Sequence, residues 1–262
     1  MRLLLLATCL FFMASCTTKV PKAPIKALLL TGGCCHNYDN QKKIIQEFTT
    51  AELNVTWDVI HEGGKGGNHK FSIYEEEGWA DKYDVVVHNE CFAKMHDDNF
   101  MINVVKDHLK TDIGVIMVHC AMHTFRDAKE GTEAWNKLIG LQSKKHEHQA
   151  EYVVENIASQ HPIMKEFPQA WTAPIDELYI VIREFPGMTP LARSFGPKSN
   201  KFSTCIWTNQ IGDNKIFGIT FGHNDHTMET KEFQGVFNRG LLWTVGKLKS
   251  DGTAAEGYAA SK

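Results

Sequence analysis

Residues Gly114 to Arg126 read GVIMVHCAMHTFR: an apolar run stops at His119 and Cys120, and His123 and Arg126 follow within one or two turns of chain. An imidazole there can move a proton near neutral pH or, when neutral, ligate a metal. A thiol beside histidine is also the pairing that nucleophilic catalysis uses. One histidine at a strand end can equally be a cap that hydrogen-bonds a loop. His36, His88 and His223, however, close three further apolar runs, at 25–30, 85–88 and 216–221. In an open α/β sheet, ligands bind just beyond the carboxyl ends of the strands. Four histidines arriving at one such edge point to a functional pocket rather than to four separate caps.

The elements that would position these residues follow from hydrophobic period. Short continuous apolar runs at 25–30, 55–60, 85–88 and 114–118 read as buried strands of a parallel sheet. Helical spacing between them predicts helices at 41–53, with Ile44, Ile45, Phe48 and Leu53 on one face, and at 97–109. In the latter, Asp97 is the cap and Phe100, Val104 and Leu109 face inward. Further strands are expected at 151–154, 178–183, 191–195, 205–208 and 216–221, and a short helix around Trp135, Leu138 and Ile139. A closing helix is expected at 232–245. The loop 61–70, HEGGKGGNHK, is a lid or a long connection. Strand and helix alternate through the first half, so the fold class is α/β with a mostly parallel sheet flanked by helices. No internal repeat and no second domain are visible.

The 262 residues are 43% hydrophobic, 23% charged and 10% aromatic, enough apolar material for one large core. A net charge of −3 with no basic block argues against nucleic-acid binding. Thirteen histidines, scattered singly, form no tag or low-complexity tract.

Residues 1–15, MRLLLLATCLFFMAS, combine Arg2 with an apolar stretch and end in small residues. The segment is short for a membrane span. MASC resembles a bacterial lipobox, which implies cleavage before Cys16 and its lipidation; the other reading is an ordinary secretory signal or an uncleaved anchor. The chain then divides into a signal peptide (1–15), a tether (16–24), one domain (25–248) and a flexible tail (249–262). The body is placed at the bacterial cell envelope, lipid-anchored, facing the periplasm or the exterior. With Cys9 removed and Cys16 lipidated, Cys34, Cys35, Cys91, Cys120 and Cys205 remain. Their spacing is not that of a disulfide framework, and the adjacent Cys34 and Cys35 are awkward for a mutual bridge. They read as small apolar residues near strand ends.

Taken in order, the motifs resemble the ThuA-like, or trehalose utilisation, family. They are Thr31-Gly32-Gly33 with His36, Val85 to Asn89, Val118-His119-Cys120-Ala121, Thr124-Phe125-Arg126 and His161-Pro162-Ile163. Asp176-Glu177-Leu178-Tyr179, Trp207-Thr208, Gly222-His223-Asn224-Asp225 and Arg239-Gly240-Leu241-Leu242-Trp243 complete them. The resemblance implies a flavodoxin-like fold similar to class I glutamine amidotransferases. Those enzymes carry a nucleophilic cysteine on the turn after a central strand; His119 takes that place here, which argues against a glutaminase. Cys120 directly after it leaves a Cys–His mechanism open.

The resemblance also implies a carbohydrate substrate and a sugar 3-dehydrogenase working alongside. On that basis His119, Glu177 and His223 are candidate catalytic residues, and Asn89, His123, Arg126, Trp207 and Asp225 candidate substrate contacts. His36, His119 and His223 are candidate ligands of a divalent metal, zinc foremost. The other reading is a metal-free pocket whose histidines bind sugar hydroxyls. No nucleotide cofactor is expected. Arg126 either meets substrate hydroxyls or pairs with Asp127, and Trp207 either stacks on a sugar or packs in the core. His146, His148 and His161 read as structural or rim groups, and His61, His69, His96 and His108 as surface residues. Two function classes follow: an enzyme that processes 3-keto-glycosides by elimination and hydration or by isomerisation, and a lipid-anchored sugar-binding module without turnover.

Overall fold

The computed structural model describes residues 22–261. The signal peptide, Cys16 and most of the tether lie outside the described residues. In chain order the elements begin β1 (Ile25–Gly33), α1 (Tyr38–Glu52), β2 (Val55–His61), β3 (Val85–Cys91), α2 (Asp98–Leu109) and β4 (Gly114–Val118). Then come α3 (Glu130–Ile139), β5 (Leu141–His146), β6 (Ala150–Asn156), β7 (Ala170–Asp176), β8 (Tyr179–Glu184) and β9 (Thr189–Gly196). The chain closes with β10 (Lys201–Ile211), β11 (Asn214–Ile219), α4 (Asp225–Met228) and α5 (Lys231–Thr244). Among the described residues, no helix is long and apolar enough to cross a membrane.

Nine strands form one sheet in the order β2-β1-β3-β4-β11-β10-β9-β6-β7, while β5 and β8 pair separately. The ladders from β2 to β11 are parallel. The apolar runs have no alternation because both faces are covered. In β4, Ile116 and Val118 enter one core and Val115 and Met117 the other. The first core is closed by Ile44, Ile45 and Phe48 of α1 and Phe233, Phe237 and Leu241 of α5. The second is closed by Met101 and Val104 of α2 and Trp135, Leu138 and Ile139 of α3. This is the expected α/β architecture.

The second half of the chain extends the sheet antiparallel, through β10, β9, β6 and β7. The link from β10 to β11 is a tight Gly212-Asp213 turn, with Gly212 in the left-handed region (φ 58°) that such hairpins require. Asp97 caps α2 as expected, accepting from Phe100 N at 3.0 Å. The inward face of α2 differs from the expectation: Met101, Val104, Val105 and His108 are buried, while Leu109 is 38% exposed.

The segment 249–261, expected to fray, packs back on the domain. Bridges Leu248–Ala254 and Leu53–Ala259 and a bond from Asn54 N to Tyr258 O (3.0 Å) hold it. Ala254 and Tyr258 rest against the first core. Small side chains let the backbone approach closely enough to make these contacts.

Candidate functional site

Because β1, β3, β4 and β11 run parallel, their carboxyl ends share one edge. His36 follows β1, Cys91 ends β3, His119 follows β4, and His223 follows β11. The turns are sharp. His119 has φ 47°, a left-handed conformation unusual for a residue with a Cβ and a mark of backbone held under constraint. Gly222, at φ 123°, turns the chain so that His223 faces inward, and a Cβ there would come within 2.9 Å of the Met228 side chain.

The three rings meet edge to face. Centroids are 4.7 Å apart for His36 and His119, 4.7 Å for His36 and His223, and 5.5 Å for His119 and His223. One ligand nitrogen from each lies within 4.8 Å of the other two. His119 Nδ1 is 2.6 Å from the Thr220 carbonyl oxygen, so Nδ1 carries the proton and Nε2 a lone pair. That Nε2 is buried without a hydrogen-bond partner, as is Nδ1 of His36, while the buried Nδ1 of His223 faces Glu177 Oε2 at 3.3 Å. Buried polar atoms are nearly always paired, so two orphans in one cluster need an explanation outside the protein's own hydrogen bonds.

Glu177 stands over this cluster. Its Oε2 is 3.6 Å from His119 Nε2, 3.5 Å from His146 Nδ1 and 3.3 Å from His223 Nδ1. Gln149 Nε2 donates to Glu177 Oε1 (3.2 Å) and lies 2.8 Å from His223 Nε2. Asp176, fully buried, accepts from the backbone N–H groups of Glu177 (2.7 Å), Gly222 (3.0 Å) and His223 (3.2 Å). One carboxylate thus fixes Glu177 and His223 relative to each other. Gln41 Nε2 adds a bond to the Gly222 carbonyl at 3.0 Å.

Burial, then the neighbouring His223, holds the His36 imidazole down to about 4. Burial and His36 push His119 well below the ordinary histidine range, so both are neutral at pH 7. Burial alone would lower His223 too, but Glu177 outweighs it and raises its pKa. Burial presses Glu177 upward, yet His223, His146 and Gln149 bring it below the usual carboxylate value, so it stays ionised. Burial lifts Asp176 to about 6 against its N–H donors.

A cavity of about 570 Å³ opens above, lined by His36, His123, Arg126, His146, Glu177, Tyr179 and His223 among others. Its size suits a small ligand. His123 stacks on Tyr179 (4.1 Å, 11°) and hydrogen-bonds Ser143 Oγ (3.1 Å). Arg126 lines the cavity and also sits 3.5 Å from Asp127, the pairing that one of its two readings expects.

The structure does not bring every candidate to the cavity. Trp207 is wholly buried in the second core, its indole N–H bonded to the Ile139 carbonyl (2.7 Å); it cannot stack on a sugar. Asn89 is buried and donates to Gln41 Oε1 (3.3 Å). Asp225 accepts from Asn37 (2.7 Å) and Asn40 (2.8 Å), tying the His36 loop to the His223 loop. Both residues support the site from behind. His88 points to the other face of the sheet, against His108, which is buried rather than on the surface.

The cysteines also differ from expectation. Cys91 and Cys120 form a disulfide, and so do the adjacent Cys34 and Cys35; Cys205 is buried and free. Cys35 takes a left-handed conformation (φ 84°) in this pair. Sequence separation hid the first bridge: β3 and β4 are neighbours in the sheet, which places Cys91 beside Cys120 across 29 residues of chain. Bonded in this way, Cys120 offers no thiolate for a Cys–His mechanism. Sequence reasoning missed Gln149 and the clamping role of Asp176. The signal available was an acidic pair, Asp176-Glu177, at the end of a strand.

Residues 27–244 match the sequence profile of the family described as trehalose utilisation, ThuA. The chain belongs to the ThuA family. Among solved structures it is similar to a ThuA-like protein from Parabacteroides merdae ATCC 43184, at 19% identity and TM-score 0.68, covering 91% of this chain and 98% of that one. A ThuA-like protein from Bacteroides uniformis ATCC 8492 gives 15% identity and TM-score 0.66, covering 89% and 97%. A Thermoplasma acidophilum protein described as a GMP synthase component shares the fold at 12% identity and TM-score 0.51, covering 84% and 94%. None of the curated proteins matches this chain in sequence. The fold is therefore that of the ThuA-like and glutamine amidotransferase-like proteins, and membership of the ThuA family suggests a carbohydrate-related role.

Proposed function

We propose that this ThuA protein is a carbohydrate-active enzyme that acts on 3-keto-glycosides, and that its histidine cluster is a divalent-metal site. The observation that carries the reading is the convergence of three imidazole nitrogens within 4.8 Å of one another, two of which, on His36 and His119, are buried with no hydrogen-bond partner. Neutral imidazoles suit zinc, and His119 already donates its other N–H to a backbone carbonyl, the support that metal-bound histidines use. His36, His119 and His223 would hold the ion, which would supply positive charge to a substrate oxygen.

The remaining chemistry belongs to the chain's own side chains. A ketone at C3 of a glycoside acidifies the proton on C2. Glu177, ionised and facing the cavity, removes that proton, and negative charge moves to the C3 oxygen. The C1 substituent then leaves with its bonding electrons and takes up a proton. Addition of water across C1 and C2 completes a net hydrolysis, while return of the proton to C2 without departure gives isomerisation. Arg126 and His123 line the cavity, and in this reading Arg126 binds hydroxyls while His123, held by Ser143, supports it. The route differs from that of glycosidases with paired carboxylates at an oxocarbenium-like centre.

The test is turnover in deuterated water. A 3-keto-glycoside should be converted with deuterium at C2, and the parent glycoside should not. Efficient cleavage of the parent with no label at C2 refutes the reading. Binding of the keto-sugar without product, at full metal occupancy, would instead make the protein a sugar-binding module.

A second reading has its own support. The pKa values of His119 and His223 are pushed apart, which is the pattern of an acid–base pair. As placed, Gln149 donates to His223 Nε2, leaving the proton on Nδ1 toward Glu177. His119 would then be the base and His223 the electrophile, without a metal. Elemental analysis of the purified protein separates the two. We also propose anchoring through Cys16, on the strength of MASC and the apolar run before it. Cys16→Ser should abolish lipid labelling; unchanged labelling would refute it. A sugar 3-dehydrogenase would supply the ketone.

A further inference from the structure

The cavity holds a second convergence that the proposed reaction does not use. Cys91 at the end of β3 and Cys120 on the turn after β4 both line the cavity. Their sulfurs and one ring nitrogen of His36 lie within 4.8 Å of one another. The Nδ1 of His36 is buried and unpartnered. Cys91 ends β3 and Cys120 lies two residues past β4, so two paired strands set the spacing of the sulfurs, while His36 comes from the loop after β1.

We propose that reduction of the Cys91–Cys120 disulfide creates a second metal site, made of His36, Cys91 and Cys120, for a soft cation. While bonded to each other the two sulfurs are neutral; only thiolates are strong ligands. A dithiol reductant supplies two electrons and two protons. The Sγ–Sγ bond breaks, each sulfur gains a proton, and the reductant closes to its own disulfide. Binding of the ion then releases both protons to solvent. Freed from their bond, the sulfurs can separate to the spacing of neighbouring ligands around a tetrahedral ion. Two thiolates and an imidazole select zinc, cadmium or cuprous ion over magnesium or calcium. They leave a fourth position open to the cavity.

His36 belongs to both clusters, so an ion held by the two thiolates draws it away from His119 and His223. The redox state of one disulfide thereby decides which cluster owns this ring. The thiolate site stands whether or not the three-histidine cluster holds an ion, because its evidence is the sulfur pair.

The test uses cadmium with the full-length protein carrying Cys9→Ser and Cys16→Ser, reduced by a dithiol and freed of it under anaerobic conditions. Reduced protein should show a thiolate-to-cadmium charge-transfer band saturating at one ion per chain, and oxidised protein should show none. The band should disappear in Cys91→Ser/Cys120→Ser and persist in Cys34→Ser/Cys35→Ser. His36→Ala should weaken cadmium binding by about tenfold or more, since losing a ligand costs at least as much as losing its supporting partner. Circular dichroism checks that each variant is folded. Absence of the band in reduced wild-type protein overturns the proposal. So does its survival in folded Cys91→Ser/Cys120→Ser, which would assign the thiolates to Cys34 and Cys35. Neither result bears on keto-sugar turnover, so failure here is distinct from failure of the reaction.

Discussion

Two histidine clusters occupy different parts of the same sheet, and each has a glutamate. At the carboxyl edge, His36, His119 and His223 sit beneath Glu177. On the face covered by α2 and α3, His88 Nδ1 meets Glu90 Oε1 at 3.0 Å and His88 Nε2 meets His108 Nε2 at 3.1 Å. In the second cluster every ring nitrogen has a partner. His108 Nδ1 donates to the Val104 carbonyl (2.7 Å), so its Nε2 accepts from His88 Nε2–H. His88 Nδ1 and Glu90 then share one proton between them. In the first cluster the buried His119 Nε2 and His36 Nδ1 have none. The count of histidines is similar; what separates a site from a core is whether the protein has already used the nitrogens. Parity decides which is which. His88 lies within a strand and points to the α2 and α3 face, whereas His119 sits past the end of its strand, where alternation no longer binds it.

The sharpest break of this comparison is to remove one histidine from each cluster. His119→Ala should lower turnover of a 3-keto-glycoside by about two orders of magnitude or more, as for loss of a group acting directly on the reaction. Bound metal should fall in parallel, with little change in Tm. Wild-type turnover in a folded His119→Ala protein would place the chemistry elsewhere.

The mirror experiment is His88→Ala. It leaves Glu90 buried without its partner, a loss of about 3–5 kcal/mol by the usual cost of breaking a buried pair. Activity per folded molecule should hold. Denaturant unfolding measures the first and active-site titration the second; a stable but inactive variant would move His88 into the site.

Acid should probe the buried cluster at a smaller scale. Burial, then His88, holds His108 at about 3, far below its ordinary 6.5. Between those values the unfolded chain binds a proton that the folded chain refuses. The neutral-His108 contribution is therefore complete above about pH 6.5 and is lost as pH falls toward 3. Tm should fall across that window, and His108→Asn should show a shallower fall. Parallel curves for the two proteins would assign the acid sensitivity to other groups.

The sequence made the parallel half of the sheet legible because both of its faces are buried. Runs such as Val115, Ile116, Met117 and Val118 carry that signal without any knowledge of partners. The placement of His36, His119 and His223 at one edge followed from reading the runs before them as strands of one parallel sheet. His88 was misplaced because a fully apolar strand hides its parity. His108 was legible in principle: it falls on the face of Met101, Val104 and Val105, at helical spacing. The Cys91–Cys120 bridge and the Asp225 link to Asn37 and Asn40 depend on neighbours that only the folded sheet brings together. The antiparallel extension was legible only in part: β6, β9 and β10 carry expected runs, β7 (Ala170–Asp176) was missed, and the pairings were hidden because register there is set by turns and by bulges such as those between Thr204 and Trp207.

Trp207 gives the smallest expected effect and the finest test of the boundary between site and core. An aromatic residue in a chain whose family suggests a carbohydrate-related role invites a stacking role, and its neighbour Thr208 reinforces the motif. The structure puts the ring against Gly218, where a Cβ would approach Trp207 within 2.1 Å, and against the backbone of Ile139. Both contacts are internal. Trp207→Phe keeps an aromatic ring but removes the indole N–H, leaving the Ile139 carbonyl unpaired and a small void behind. The expected cost is about 1–2 kcal/mol of stability, the range for one buried hydrogen bond with its stranded acceptor. KM for the keto-sugar should not move, because the ring never reaches the cavity. If Tm holds while KM rises, the indole touches substrate and the core assignment fails; if Tm falls and KM holds, the cavity ends at Tyr179 and His123, and the sheet behind it is scaffold.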